Sequence, residues 1–260
     1  MDRRLDGARR AVERAAARHR WAAAPATVAI LVAAAGRLAI WTQIQAPVDW
    51  ELYRDAALRW QAGDSYFLPY QLAGPYTLGH SEVLYPPVAL WLLVPFTHLP
   101  AVLWWAIPIG ILAATVLWWR PRGWPTVALA ACLATPVTQG IYLTGRPTMW
   151  IAAFFGLGLV RGGWAVLVLL KPSVFPFALV GIRRRWWWAT AGAFLLLCLP
   201  FPLGFWRDWV TAVMNSGGAI YYSILDISIL GIPVAAWLGR TRGRTRLETP
   251  AQASTVAATA

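Results

Sequence analysis

Long apolar runs separated by short polar breaks set the predicted elements of this chain. The first run begins at Trp21 and, interrupted only by Arg37, continues to about Ile44, enough for one membrane-spanning helix. Residues 45–82 are polar and aromatic. Within them WELYRDAALRWQAG places Tyr53, Ala56, Ala57 and Trp60 at helical spacing, with Gly63 as the stop, which predicts a short amphipathic helix at the membrane surface. From Val83 to Trp119 there is no formally charged residue over 37 positions, too many for one untilted span, and Thr97-His98-Leu99-Pro100 divides them in two. Apolar segments at about 124–141, 147–160, 163–181, 186–205 and 227–239 follow, so the reading is an all-α, polytopic integral membrane protein of about eight spans.

Three regions follow from this pattern. Residues 1–20 suit a basic amphipathic segment on the cytoplasmic membrane face, residues 21–239 the transmembrane domain with 45–82 as its first outer loop, and residues 240–260 a basic, then disordered, cytoplasmic tail. With eight spans both termini and Arg183, Arg184 and Arg185 fall inside, and the loop 206–226 falls outside. Arg120 and Arg122 then fall outside as well, against the positive-inside rule. The run from Trp21 reads as a retained span rather than a cleaved signal peptide.

Composition narrows the class. The chain has 260 residues, 58% hydrophobic and 13% charged, where a soluble domain carries about 25% charged. Residues 1–20, 45–82 and 240–260 hold 22 of the 34 charged side chains, leaving 12 for the other 181 positions. The net charge of +12 sits at the ends: seven Arg against three acids in 1–20 and four Arg against one in 240–260, while 45–82 has five acids against two Arg. No aromatic residues interleave with the terminal arginines as a nucleic-acid stacking platform requires, so anionic lipid headgroups are the expected partner. Cys132 and Cys198 lie in apolar stretches and form no disulfide framework.

The few polar exceptions carry the candidate chemistry. Lys171 is the single lysine beside 22 arginines and lies well inside a predicted span. A charge near the bilayer centre costs at least about 2.5–3.5 kcal/mol, so it is expected to face a polar cavity or an anionic ligand; the competing account is snorkelling at a helix break before Pro172. The outer loop combines Asp49, Glu51, Asp55, Asp64 and Glu82 with Arg54, Arg59 and His80 and with Trp50, Tyr53, Trp60, Tyr66, Tyr70 and Tyr76. Carboxylates and flat aromatic faces suit carbohydrate, although Asp49 also fits a helix N-cap and the aromatics an interfacial belt. Gly158 and Gly162 read as helix packing, and His80 and His98 have no metal-ligand spacing, so no metal and no cofactor are expected.

The residues Asp49-Trp50-Glu51-Leu52-Tyr53-Arg54-Asp55-Ala56-Ala57, Gly63-Asp64-Ser65-Tyr66 and Leu84-Tyr85-Pro86-Pro87, with Pro95 and Leu99-Pro100, resemble the first loop and second span of glycosyltransferase family 87. Its members are GT-C membrane enzymes that include polyprenol-phosphate-mannose-dependent mannosyltransferases. Lys171-Pro172, Arg184-Arg185-Trp186 and Asn215-Ser216 are similar to later elements of the family, and the resemblance covers roughly residues 25–225. Gly145 falls where the family has a Gly-Gln-x-Asn element, but Arg146 and Thr148 replace its amides. The chain also ends soon after the eighth predicted span, where members usually continue, as a truncated member would.

The resemblance implies transfer of a sugar, mannose first, from a polyprenyl-phosphate donor to a glycolipid or glycan acceptor on the outer face of the cytoplasmic membrane. It implies an inverting mechanism with Asp49 as general base. Arg54, His80 and Lys171 are the candidates for the donor phosphate, and Trp50, Tyr53, Tyr66, Glu82, Tyr85 and Asn215 for sugar or acceptor. Two other classes stand beside it: a catalytically degenerate scaffold or accessory subunit, and, last, a transporter, which would predict polar residues along several spans or paired repeats, for which Lys171 is too solitary.

Overall fold

The computed structural model describes residues 20–42, 47–79, 82–217 and 226–241. The predicted segment 1–20, apart from the backbone at Arg20, His80 and the tail beyond Thr241 lie outside the described residues. Everything regular among the described residues is helical: α1 (Arg20–Trp41), α2 (Val48–Gln61), α3 (Pro69–Ala73), α4 (Leu90–His98, after a 3₁₀ turn Pro87–Ala89), α5 (Val102–Trp119), α6 (Trp124–Ala134), α7 (Pro136–Thr144), α8 (Thr148–Val160), 3₁₀ stretches Gly162–Leu170 and Pro172–Leu179, α9 (Arg185–Cys198), α10 (Leu203–Asn215) and α11 (Ile227–Leu238). Two are long and apolar enough to cross a membrane, Trp21–Trp41 and Val102–Trp119, and up to four spans result if the bent pairs α6–α7 (56°) and α9–α10 (99°) each count as one.

The helices share two ends, recognisable from the contacts that join them. At one end Arg122 N–H donates to Gly239 O (3.2 Å), Thr241 N–H to Trp119 O (3.0 Å), and Thr27 meets Thr126 hydroxyl to hydroxyl (3.1 Å). This end therefore gathers the start of α1, the end of α5, the start of α6 and the end of α11. Arg120 and Arg122 lie there beside Arg240. α4 is too short to change ends. Tyr85 before it and Phe96 near its close both reach the first turn of α8, at Thr148 (3.3 Å) and Trp150 (ring centroids 5.3 Å).

The predicted span 163–181 is not a single helix. Two 3₁₀ stretches meet at Lys171, whose φ of −125° and ψ of 85° are non-helical, as the proline at 172 favours. Glycines close the base of this hairpin: a Cβ on Gly181 would stand 2.5 Å from Gly162 Cα, and Gly181 has φ +83°. The hairpin packs on α8 through Gly158, where a Cβ would stand 2.6 Å from that of Ala165, so the Gly158/Gly162 step packs helices as expected. Lys171 is thus the tip of a loop that leaves the Arg161 end and returns to it.

Two further expectations change. The segment 186–205 ends as α9 at Cys198, and residues 206–215, read as loop, belong to α10, which turns by 99° across the far end. Its ties there are Trp209 Nε1 to Leu84 O (3.0 Å), Tyr76 Oη to Ala212 O (2.9 Å) and Asn215 Nδ2 to Gln71 O (2.9 Å).

The break between α6 and α7 has its own support. Pro136 cannot donate to the ladder, and Arg37 of α1 donates to the Ala134 carbonyl and, through Nε, to Gln139 Oε1 (2.6 Å), while Gln139 Nε2 donates to Ala34 O (2.8 Å). The charge at Arg37 thereby satisfies backbone and side-chain groups at the break instead of facing lipid.

Candidate functional site

At the end opposite Arg120 and Arg240, four separate stretches bring charge together. Asp49 is the second residue of α2, whose N-cap is Pro47; the N-cap role considered for Asp49 is corrected, since it lies two residues past the cap, in the first turn. α2 forms where the Tyr53, Ala56 and Ala57 spacing predicts, and all three are buried. It closes at Gly63 (φ +89°) in a Schellman motif, with Asp64 N–H on Arg59 O (3.0 Å) and Gly63 N–H on Trp60 O (3.1 Å).

Arg146 sits in the turn between α7 and α8, positioned by Gly145. Gly145 has φ +75°, and a Cβ there would lie 2.7 Å from Trp50 Cβ and 2.8 Å from Trp105 Cζ2. Only glycine lets α2 approach this turn, and the approach puts Asp49 and Arg146 in contact. Trp104 Nε1 donates to the Gly145 carbonyl (2.7 Å), and Trp50 stacks against Trp104 (centroids 4.8 Å), fixing the same junction from the apolar side.

Arg146 Nε donates to Asp49 Oδ2 (3.2 Å) and Nη1 to Asp226 Oδ1 (3.4 Å). Lys171 pairs with Asp226 and donates to Thr148 Oγ1 (3.1 Å), whose own hydroxyl donates to Asp226 Oδ2 (3.0 Å). Since that hydroxyl has a single proton, Tyr85 Oη, 3.3 Å away, is the donor in its bond to Thr148. Side-chain exposure grades the four charges: Asp226 2%, Lys171 13%, Asp49 19% and Arg146 32%. Asp226 is enclosed as a counter-ion, whereas Asp49 and Arg146 remain open to a ligand. α8 begins at Thr148 and α11 directly after Asp226, so two helix N-termini, with their partial positive charge, also end here.

Of the residues proposed from sequence, Asp49, Lys171 and Tyr85 meet in this cluster. Tyr53 is buried edge-on against Tyr85 (centroids 5.3 Å); burial, then Tyr85 and Asp49, push its phenol well above the ordinary range, so it is a neutral group. Trp50 is buried in the aromatic junction, and Tyr66 packs edge-on between Phe67 and Phe205. Glu82 accepts from Tyr70 Oη (2.9 Å) and from Gly79 N–H (2.9 Å), and burial together with that bond pushes Tyr70 up to about 12. Asn215 ties α10 to the first loop. Arg54 lies on another face of α2, with Glu51, Phe96 and Trp105 around an open cleft of about 370 Å³.

Sequence reasoning did not select Arg146, Thr148 or Asp226 as site residues. The available signal was their rarity, because Arg146 and Asp226 are two of the 12 charges among the 181 low-charge positions. Among the described residues no three His, Cys, Asp or Glu side chains converge. The groups that do converge, two cations beside two acids and two hydroxyls, suit an anionic organic ligand and a proton acceptor. No family model, curated protein or solved structure matches the chain.

Proposed function

We propose that this chain is a membrane glycosyltransferase of GT-C type, built on the eight-segment pattern, that moves a sugar from a polyprenyl-phosphate donor to a glycolipid or glycan hydroxyl. Mannose is the first sugar to test, and the outer face of the cytoplasmic membrane is the proposed location. One observation carries the reading: in a chain so poor in charge, Asp49, Arg146, Lys171 and Asp226 come from four separate stretches to one place, with Thr148 and Tyr85 between them. A buried charge cluster is expensive unless it is paired, and expense without a task is not expected.

The chemistry divides by exposure. Asp49, the more open acid, takes the proton from the acceptor hydroxyl as that oxygen attacks the anomeric carbon. The bond from that carbon to the phosphate oxygen breaks, and polyprenyl phosphate leaves with the electron pair toward cationic groups and helix N-termini. Asp226 keeps Lys171 and Arg146 in place. The test is a lipid-linked sugar transfer assay on the full chain in nanodiscs: Asp49→Asn should lose about 10²- to 10⁴-fold in turnover, the loss expected for a general base. Unchanged turnover ends the assignment of Asp49.

A second reading is a degenerate scaffold, and one observation favours it: the two acids and two cations neutralise one another without any ligand. In that case the wild-type protein transfers no sugar, and Asp49→Asn changes stability alone.

A further inference from the structure

We infer that Arg146 is the phosphate-binding residue of this site and that it masks Asp49 until a phosphate ester arrives, when the guanidinium exchanges carboxylate for phosphate. The inference rests on the reading of the site as one for a lipid-linked sugar phosphate, and assigns within it the anion ligand and the order of events.

Arg146 is the most exposed of the four charged side chains, and its Nε and Nη1 are engaged by the two acids while Nη2 has no hydrogen-bond partner among the described residues. A planar fork with a free edge is suited to two-point binding of phosphate. Lys171 is placed differently. It is held at the hairpin tip by both Asp226 and Thr148, with 13% of its side chain exposed, so its charge is already committed.

The network is asymmetric with respect to losing Arg146. Asp226 would retain Lys171 and the Thr148 hydroxyl. Asp49 would lose its one side-chain partner among the described residues, and the Oδ2 that Arg146 occupies would open to the acceptor hydroxyl. The backbone need not move, since Arg146 N–H is held by Ile141 O (3.0 Å) between Gly145 and Pro147. Only the long side chain swings. Phosphate replacing carboxylate on the guanidinium couples arrival of the donor to release of the base, so that Asp49 is unmasked only when a substrate is present.

Binding of farnesyl phosphate and of inorganic phosphate to the full chain in nanodiscs, followed by tryptophan fluorescence, tests this without any transfer step. Arg146→Gln should weaken binding about ten- to hundredfold, and Arg146→Lys should restore part of it. Asp49→Asn should strengthen binding roughly fivefold, because a part-exposed ion pair no longer competes. A misfolded variant cannot produce that gain. Equal or weaker binding by Asp49→Asn overturns the exchange, and equal binding by Arg146→Gln overturns the ligand assignment. Tighter binding of farnesyl phosphate than of inorganic phosphate, both responding to the variants, assigns a lipid-linked source; equal affinity assigns free phosphate. If the glycosyltransferase reading itself fails, these affinities still shift while wild-type protein transfers no sugar.

Discussion

Replacing Gly145 with alanine adds one methyl group at the point where α2 meets the Arg146 turn. Two costs follow. The backbone holds φ at +75°, which an L side chain occupies at about 1–2 kcal/mol. The new Cβ also lies 2.7 Å from Trp50 Cβ and 2.8 Å from Trp105 Cζ2, and overpacking of this kind costs about 1–3 kcal/mol. Trp50 Cβ is fixed to the helix backbone, so it cannot yield as a flexible side-chain tip would. The sum is about 2–5 kcal/mol, and relief requires α2 to move away from the turn, lengthening the 3.2 Å contact of Arg146 with Asp49. Unfolding of purified protein in detergent, followed by tryptophan fluorescence, reads the loss. Gly140→Ala is the control: it sits within α7 with no atom near the added Cβ, and should gain up to about 1 kcal/mol. Gly145→Asn separates the two costs, since asparagine tolerates positive φ but keeps the clash. If Gly145→Ala unfolds within about 0.5 kcal/mol of wild type, smaller than either cost above, the close approach of α2 to this turn is refuted.

Gly158→Ala should destabilise by about 1–3 kcal/mol in the same assay, because its Cβ would meet Ala165 backbone at 2.7 Å. Pushing the hairpin off α8 should also weaken farnesyl phosphate binding, because Lys171 at its tip holds Asp226. Gln139→Leu leaves Arg37 Nε without its acceptor at the α6–α7 break and should cost about 1–3 kcal/mol, whereas Gln139→Glu, which keeps that acceptor, should cost less.

Much of the helical layout was legible from pattern. The start of α1, the spacing and glycine stop of α2 and the division near residues 97–100 each correspond to a structural boundary within a few residues. The hairpin was not legible as such, because an apolar run that crosses and one that turns back have the same hydropathy. Its markers were present nonetheless: Lys171-Pro172 at the midpoint and Gly162 and Gly181 at the base. α10 was missed for another reason. Its apolar face is interrupted by Arg207 and Asp208, so it reads as loop to a hydropathy scan although Tyr76 and Gln71 of the first loop bond to it. In the site, Asp49 and Lys171 stood out as isolated charges. Arg146 and Asp226 were marked only by their rarity, since the role of each depends on a partner at least 55 residues away in sequence.

The hairpin also fixes the parity of the chain. A segment that returns to the end it left does not alter the side on which the next segment starts, and α4, lying across the site end, does not either. Neither the hairpin nor α4 is among the segments long and apolar enough to cross a membrane. The start of α1 and the end of α11 share one end of the helices, as the contacts of Thr27 with Thr126 and of Arg122 with Gly239 require. α5 and the bent pair α6–α7 run between the two ends, which puts Arg120 and Arg122 at one and Arg146 at the other.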